Sequence, residues 1–262
     1  MAGPAIIFDD GVLYERAMGA WSRLAGEVFL DWLAPAPGLR WIDVGCGNGA
    51  FTEALMERCA PAEVQAIDPS EGQLAYARTR PGARGAVFQR GDAMALPFEA
   101  DRFDAAAMAL VIFFVPEPEK GVAEMARVVG PGGLVAAYAW DMPGGGFPFH
   151  PAHQELRALG IAPPLPPRAE VSRTEGLRAL WEGAGLEAVE TRAITVQRHF
   201  ESFDDYWESA RSGSSLRAVL EAMAQEQVAR IEAGVRARMP ADRAGRITHT
   251  ARANAVRGRV PA

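Results

Sequence analysis

A short apolar run, Trp41-Ile42-Asp43-Val44, breaks into Gly45-Cys46-Gly47-Asn48-Gly49 and then into helix-compatible sequence from Phe51. Glycines at alternate positions take turn dihedrals closed to other residues and bring the main chain close to a ligand without a Cβ clash. Such a strand, turn and helix constrain the chain to an α/β sheet carrying a nucleotide-like ligand at its strand ends. Two later acidic residues, Asp68 and Asp92, each close a further strand and narrow the ligand.

The pattern continues along the chain. Met18, Trp21, Leu24, Ala25, Val28, Phe29 and Trp32 recur at helical spacing within Tyr14 to Trp32. Strands are expected at Trp41–Val44, Val64–Ile67, Val87–Arg90, Phe103–Val111, Leu134–Trp140, Ala188–Phe200 and Arg246–Val256. Helices fall between them at Phe51–Cys59, Glu71–Thr79, Pro116–Val129 and Thr174–Gly185, and Ser202–Met239 reads as helical. The apolar run from Phe103 suits the buried centre of a parallel sheet. Alternation at these intervals predicts an α/β fold, an open, doubly wound, mostly parallel seven-stranded sheet of Rossmann-like type, with a helical insertion before the last strand.

Organisation follows as a single domain, 1–262, with a helical cap segment at 1–38 and a ligand-binding core at 39–140. A loop-rich active-site region spans 141–172, because Pro143-Gly144-Gly145-Gly146 and the Pro163–Pro167 run break regular structure. The insertion covers 201–243 and is expected over the sheet's edge or ligand end. A formal charge of −6 argues against a nucleic-acid partner, which wants a cationic surface. Arg243, Arg246, Arg252, Arg257 and Arg259 form the one basic stretch, read as a solvated tail. Cys46 and Cys59 suggest neither a disulfide scaffold nor a metal cluster. No basic region with an apolar run follows the start, and the strongest apolar stretch is too short for a membrane span. A cytoplasmic location is the default expectation.

The strand ends carry the chemistry. Gly45, Gly47 and Gly49 shape the first turn. Asp68 can accept from two ribose hydroxyls, and Asp92 from an adenine amino group, with the Ala93 amide on a ring nitrogen. Leu110 would line the opposite end of the ligand. A nicotinamide dinucleotide shares the ribose-binding carboxylate, but Asp43 stands two residues before the turn. A carboxylate there repels a pyrophosphate and attracts the ammonium and sulfonium of S-adenosylmethionine. Methyl transfer is favoured over hydride transfer.

On Ile42–Gly49, Ala66-Ile67-Asp68-Pro69-Ser70, Gly91-Asp92-Ala93 with Leu96-Pro97-Phe98, Phe103-Asp104-Ala105 and Arg127–Gly133, the chain resembles the class I S-adenosylmethionine-dependent methyltransferases. The likeness is closest to the small-molecule branch of the ubiquinone/menaquinone biosynthesis type and covers Leu39 to Trp140. It implies that Asp43, Gly45, Cys46 and Gly47 hold the methionine end of the cofactor, Asp68 with Pro69 the ribose, and Asp92 with Ala93 the adenine. S-adenosylhomocysteine would be the product. Phe113-Phe114 stands where many relatives have a histidine, which makes the pocket floor more apolar.

The acceptor site is expected beyond the fifth strand. There His150 and His153 could touch substrate, and Asp141 could orient a polar acceptor or the cofactor's amine. Loop packing is the alternative for both histidines; a metal held by His-x-x-His with Asp141 is weak. His199 and His249 read as structural. Tyr14 and Trp21 could fold over the cofactor or simply seal the core. Trp140, Phe147 and Phe149 could wall the acceptor, while Tyr206 and Trp207 could pack within the cap. The Ala109-Leu110-Val111-Ile112 segment lacks the Asn/Asp-Pro-Pro-aromatic motif of amino-directed nucleic-acid and protein methyltransferases, and two cysteines are too few for arsenite. A small aromatic or apolar acceptor remains, methylated on oxygen, carbon or nitrogen. A noncatalytic cofactor-binding partner protein is the runner-up, and a tRNA methyltransferase a third reading. The oligomeric state is left open.

Overall fold

Ala105, Ala106, Ala107 and Met108 have no solvent contact. Small apolar side chains on both faces of a strand fit between two helical layers, so this strand lies in mid-sheet. In a computed structural model describing residues 15–262, seven strands form one sheet. They are β1 (Arg40–Val44), β2 (Glu63–Asp68), β3 (Val87–Arg90), β4 (Phe103–Ala109), β5 (Val129–Trp140), β6 (Glu187–Phe200) and β7 (Ile247–Arg259). Their order is β3-β2-β1-β4-β5-β7-β6. The first five pair in parallel, and β7 runs antiparallel to both β5 and β6. The parallel-to-parallel order reverses at β1 and β4, where a crevice opens beyond the carboxyl ends of the strands.

Nine α-helices accompany the sheet among the described residues: α1 (Ala20–Leu33), α2 (Ala50–Cys59), α3 (Glu71–Ala77), α4 (Pro118–Val128), α5 (His150–Ala158), α6 (Thr174–Gly183), α7 (Phe203–Ser212), α8 (Ser214–Glu221) and α9 (Gln225–Arg238). A short π-helical turn, Glu15–Gly19, leads into α1. Trp21, Ala25, Phe29 and Leu33 face the sheet from α1, as the helical spacing requires. Trp181 on α6 is fully buried and its indole donates to the Val135 carbonyl at 2.9 Å, so one side chain both fills the core and satisfies its polar end.

Two details differ from the sequence reading. The 141–172 stretch is not loop throughout, because α5 forms inside it with Pro151 in its first turn, where a missing N–H costs nothing. The Gly130–Gly133 segment counts within β5, where the pairing to β4 shifts register between Phe103 and Ala105. The insertion α7–α9 lies toward the ligand end. Ser209 on α7 donates to the Ala17 carbonyl at 3.4 Å, and Arg238 on α9 to Glu155 on α5 at 2.6 Å.

The basic stretch is not a free cationic tail. Arg246 pairs with Asp242 at 2.9 Å, Arg252 with Asp141 at 2.5 Å and Arg257 with Glu190 at 2.9 Å. Arg259 donates to the Gly132 carbonyl at 2.7 Å. Among the described residues no helix is long and apolar enough to cross a membrane.

Candidate active site

The three glycines after β1 all take positive φ: +75° at Gly45, +53° at Gly47 and +78° at Gly49. A Cβ on Gly45 would fall 2.5 Å from Val111, whereas one on Gly47 would meet no protein atom within 4 Å. The first glycine is needed for packing, and the second leaves room for something other than protein. The Gly45 and Cys46 amides both donate to the Ile67 carbonyl at 2.8 Å, and the Gly47 amide to Asp68 Oδ2 at 2.9 Å. Asp68 Oδ1 accepts from the Ser70 amide, also at 2.9 Å. Burial raises the Asp68 carboxyl above its ordinary pKa, with the Ser70 and Gly47 amides opposing it. Each carboxylate oxygen keeps lone-pair capacity for a further donor.

A cavity of about 1050 Å³ opens over this turn. Gly45, Cys46, Gly47, Asp68, Pro69, Asp92, Ala93 and Leu110 all contribute to its wall. Asp92 is exposed, with Oδ1 accepting from the Met94 amide at 2.9 Å. Leu110 has φ +63°, a left-handed conformation that disfavours a branched side chain, and its amide donates to the Tyr138 carbonyl at 2.8 Å. Backbone strain of this kind costs about 1–3 kcal/mol and concentrates at functional sites.

The far wall is apolar. Phe114, Val115 and Pro116 follow β4, Val219 comes from α8, and Pro163, Pro164, Leu165 and Pro167 come from the proline run. Arg168 holds that run in place: its amide donates to the Phe113 carbonyl and its guanidinium to the Pro116 carbonyl, each at 3.1 Å. The sequence reading passed over these residues as a break in regular structure. A proline run five residues long in the acceptor region was the available signal, since such a run is stiff enough to serve as a wall.

Five expected site residues do not line the cavity. Asp43 is fully buried beneath the turn, where Thr52 Oγ1 donates to its Oδ2 at 2.6 Å and Oδ1 has no partner. Desolvation raises its pKa to about 7, with the Thr52 hydrogen bond opposing and the Asp68 charge adding to the rise. Trp21 is likewise buried, 6.2 Å from the Phe200 ring and edge-on to His249 at 5.9 Å. It seals the core rather than covering the cavity. Tyr14 lies outside the described residues.

The expected acceptor groups are placed elsewhere too. Asp141 takes two donors from Arg252 on Oδ2, and the Gly144 amide at 2.9 Å on Oδ1, so its carboxylate anchors the Gly144–Gly146 turn to β7. His153 stacks on Phe147 at 5.2 Å, and burial lowers its pKa to about 3, with the Arg157 charge adding. His150 is half-buried, its pKa also lowered chiefly by burial. Neither histidine reaches the cavity wall, because the chain after β5 turns toward β7 and α5 instead of over the turn. His249 bonds the Pro148 carbonyl at 2.8 Å and His199 the Thr248 hydroxyl at 2.9 Å, both structural contacts. Trp140 and Phe149 are buried, and Phe149 packs edge-on against Tyr206 at 6.2 Å in the cluster beneath the insertion.

A second network, unread in the sequence, holds the turn from outside. Arg80 Nε donates to the Asn48 carbonyl at 2.6 Å and Nη1 to Glu53 at 2.8 Å, and the guanidinium also pairs with Glu15. Asn48 in turn donates to Glu15 at 2.9 Å.

A methyltransferase-domain family description matches residues 42–137, the stretch from β1 through β5. Over that stretch the chain is similar to S-adenosylmethionine-dependent methyltransferases of the ubiquinone/menaquinone type. A Cereibacter sphaeroides ubiquinone/menaquinone biosynthesis C-methyltransferase is 32% identical over 126 residues, 47% of this chain and 50% of that protein. A demethylmenaquinone methyltransferase of Renibacterium salmoninarum is 35% identical over 165 residues, 61% of this chain and 65% of the relative. The chain thus spans from half to just under two thirds of these curated relatives. A Haemonchus contortus phosphoethanolamine N-methyltransferase 2 in complex with S-adenosyl-L-methionine shares the class I methyltransferase fold, with TM-score 0.57 at 16% identity over 96% of this chain and 56% of that one.

Proposed function

We propose that the protein transfers the methyl group of S-adenosylmethionine to a small, apolar or aromatic organic acceptor. The observation that carries this reading is the composition of one cavity, which a glycine turn, Asp68 and Asp92 line together with Leu110, Phe114 and the proline run. The residues fit the cofactor. The open space at Gly47 admits a chain that a side chain would exclude, Asp68 suits the ribose hydroxyls, and Asp92 with the Ala93 amide suits the adenine edge. When bound, the cofactor supplies a methyl group already activated by its cationic sulfur.

The protein's share of the work is then to hold and align. The Gly45–Gly49 turn and Asp68 fix one partner, while Leu110, Phe114 and the proline run confine the other against it. Alignment of two reactants in a restricted site contributes much of such a rate enhancement. The apolar wall excludes water and favours an acceptor that buries ring or chain surface. Asp43, buried, is tied to α2 through Thr52. An acceptor of oxygen, carbon or nitrogen type suits this wall.

Calorimetric titration of the purified chain with S-adenosylmethionine and S-adenosylhomocysteine tests the reading. Micromolar-range binding that disappears in Asp68→Ala supports it, and justifies screening phenols, quinones and carbon acids as acceptors. Absence of binding to both compounds by a folded protein overturns it.

A further inference from the structure

Gly19 has helical dihedrals, φ −52° and ψ −51°, where alanine is the better residue and glycine weakens a helix. Its own backbone therefore gives no reason for a glycine. The reason is a neighbour: a Cβ at Gly19 would fall on the carboxylate of Glu15, four positions earlier. Without that Cβ, the Glu15 carboxylate accepts from the Asn48 side-chain amide at 2.9 Å and pairs with the Arg80 guanidinium. The space at Gly19 serves a contact between the segment before α1 and the glycine turn.

Arg80 is the hub of that contact. Its side chain is 11% exposed, its Nε donates to the Asn48 carbonyl within the turn, and Glu53 on α2 takes its Nη1. A turn with three glycines has wide conformational freedom, and charge-assisted bonds to its main chain select one arrangement. The same short segment reaches the insertion from its other side. The buried Ala17 offers its carbonyl to Ser209 on α7, and α7 packs against Glu15–Gly19. Among the described cavity-lining residues none belongs to α7, but α8, joined to it through Gly213, supplies Val219. Glu15–Gly19 therefore stands between the glycine turn and the insertion, in a π-helical geometry that recurs at functional sites.

Resting on the cofactor reading above, we infer that Glu15 is a positioning residue that couples the glycine turn to the helical insertion. Coupling of this kind runs through packed and hydrogen-bonded groups that have two arrangements. In the docked one, Glu15 sits on Asn48 and Arg80 while Ala17 holds Ser209; in the other, both contacts open together. A ligand that orders Gly45–Gly49 fixes Asn48 and so favours the docked arrangement. By linkage, docking raises affinity for that ligand by the same factor. The methyl donor thereby sets α7, and through it the Val219 side of the cavity, before an acceptor enters.

Amide hydrogen exchange, with and without saturating S-adenosylhomocysteine, tests the coupling on wild type, Glu15→Ala and Gly19→Ala. Exchange reads local opening segment by segment. In wild type the ligand is expected to slow exchange in α7 about tenfold more than in α6, which packs on β6 and β7. Both variants should lose the excess slowing of α7 at saturation and bind the ligand about tenfold more weakly. Gly19→Ala keeps every charge and evicts only the docked carboxylate, so its loss assigns the effect to docking. Slowed exchange at Gly45–Gly49 without any excess in α7 of wild type overturns the inference while the cofactor reading stands. An α7 excess that persists in both variants also overturns it. The wild-type comparison decides the matter even where a variant does not fold. Failure of folded wild type to bind S-adenosylhomocysteine overturns the cofactor reading itself, and the inference with it.

Discussion

The carboxylate of Asp68 receives the amide of Gly47 across the gap between two strand ends, at 2.9 Å. One side chain therefore shapes the glycine turn from the neighbouring strand and stands at the cavity wall. Replacing Asp68 with alanine removes two backbone partners at once and should cost about 1–3 kcal/mol of stability. Cofactor affinity should fall further than in Asp68→Asn, which keeps one acceptor. Urea titrations beside calorimetry separate the two effects.

Gly45 and Gly47 should respond differently to alanine. Gly45→Ala places its methyl 2.5 Å from Val111, at φ +75°, and should lose about 3 kcal/mol from overpacking and backbone strain together. Adding Val111→Ala should return part of the loss, a nonadditivity visible in denaturant midpoints. Gly47→Ala meets no protein atom within 4 Å and should lose only about 1 kcal/mol from its φ. Its defect should appear in cofactor binding, because the new methyl occupies the ligand's space.

His153 makes the fold acid-sensitive. Its pKa of about 3 in the folded state lies below the ordinary value of 6.5, so the unfolded chain binds the extra proton between those values. Stability should therefore be complete above about pH 6.5 and decline below it by up to about 1.4 kcal/mol per pH unit from this residue. His150 and His249 are also lowered and act in the same direction, while the raised carboxyl of Asp43 acts in the opposite one. Comparing urea midpoints of wild type and His153→Phe across pH 4.5 to 7.5 isolates the His153 share. The variant should show the shallower acid loss.

Asp141 should prove an anchor. Asp141→Ala strips Arg252 and the Gly144 amide of their acceptor and should lower stability by about 1–3 kcal/mol. With an acceptor in hand, its kcat at the temperature of full folding should stay within about twofold of wild type. A drop of a hundredfold without unfolding would return Asp141 to the catalytic machinery.

The strand-end residues of the cavity wall were legible because their placement depends on local order. A carboxylate or glycine that closes a strand of a parallel sheet must face the crevice, whatever packs behind it, and Gly45, Gly47, Asp68 and Asp92 follow that rule. Asp43 and Trp21 did not, since depth beneath the turn and ring neighbours such as Phe200 depend on tertiary packing. His150, His153 and Asp141 stand off the cavity wall for the same reason. Their spacing suggested a polar acceptor site, but Arg252, which holds Asp141, lies 111 positions away in the chain. The seven strands and the helical insertion were readable from apolar periodicity, and α5 was hidden by the glycines and prolines around it.

The position of β7 has a consequence for the order in which the protein is made. Its insertion pairs Leu134 with Arg259 and Phe200 with Ile247, so β5 and β6 share no edge of their own. Until that strand emerges from the ribosome, each carries an unpaired row of amides and carbonyls, a known template for misassociation. The crevice beside Tyr138 is built on β5 and can reach its final form only once residues 247–259 have been made. A nascent chain stalled before residue 247 would thus hold the glycine turn and its carboxylates on an unfinished sheet, a natural client for a chaperone.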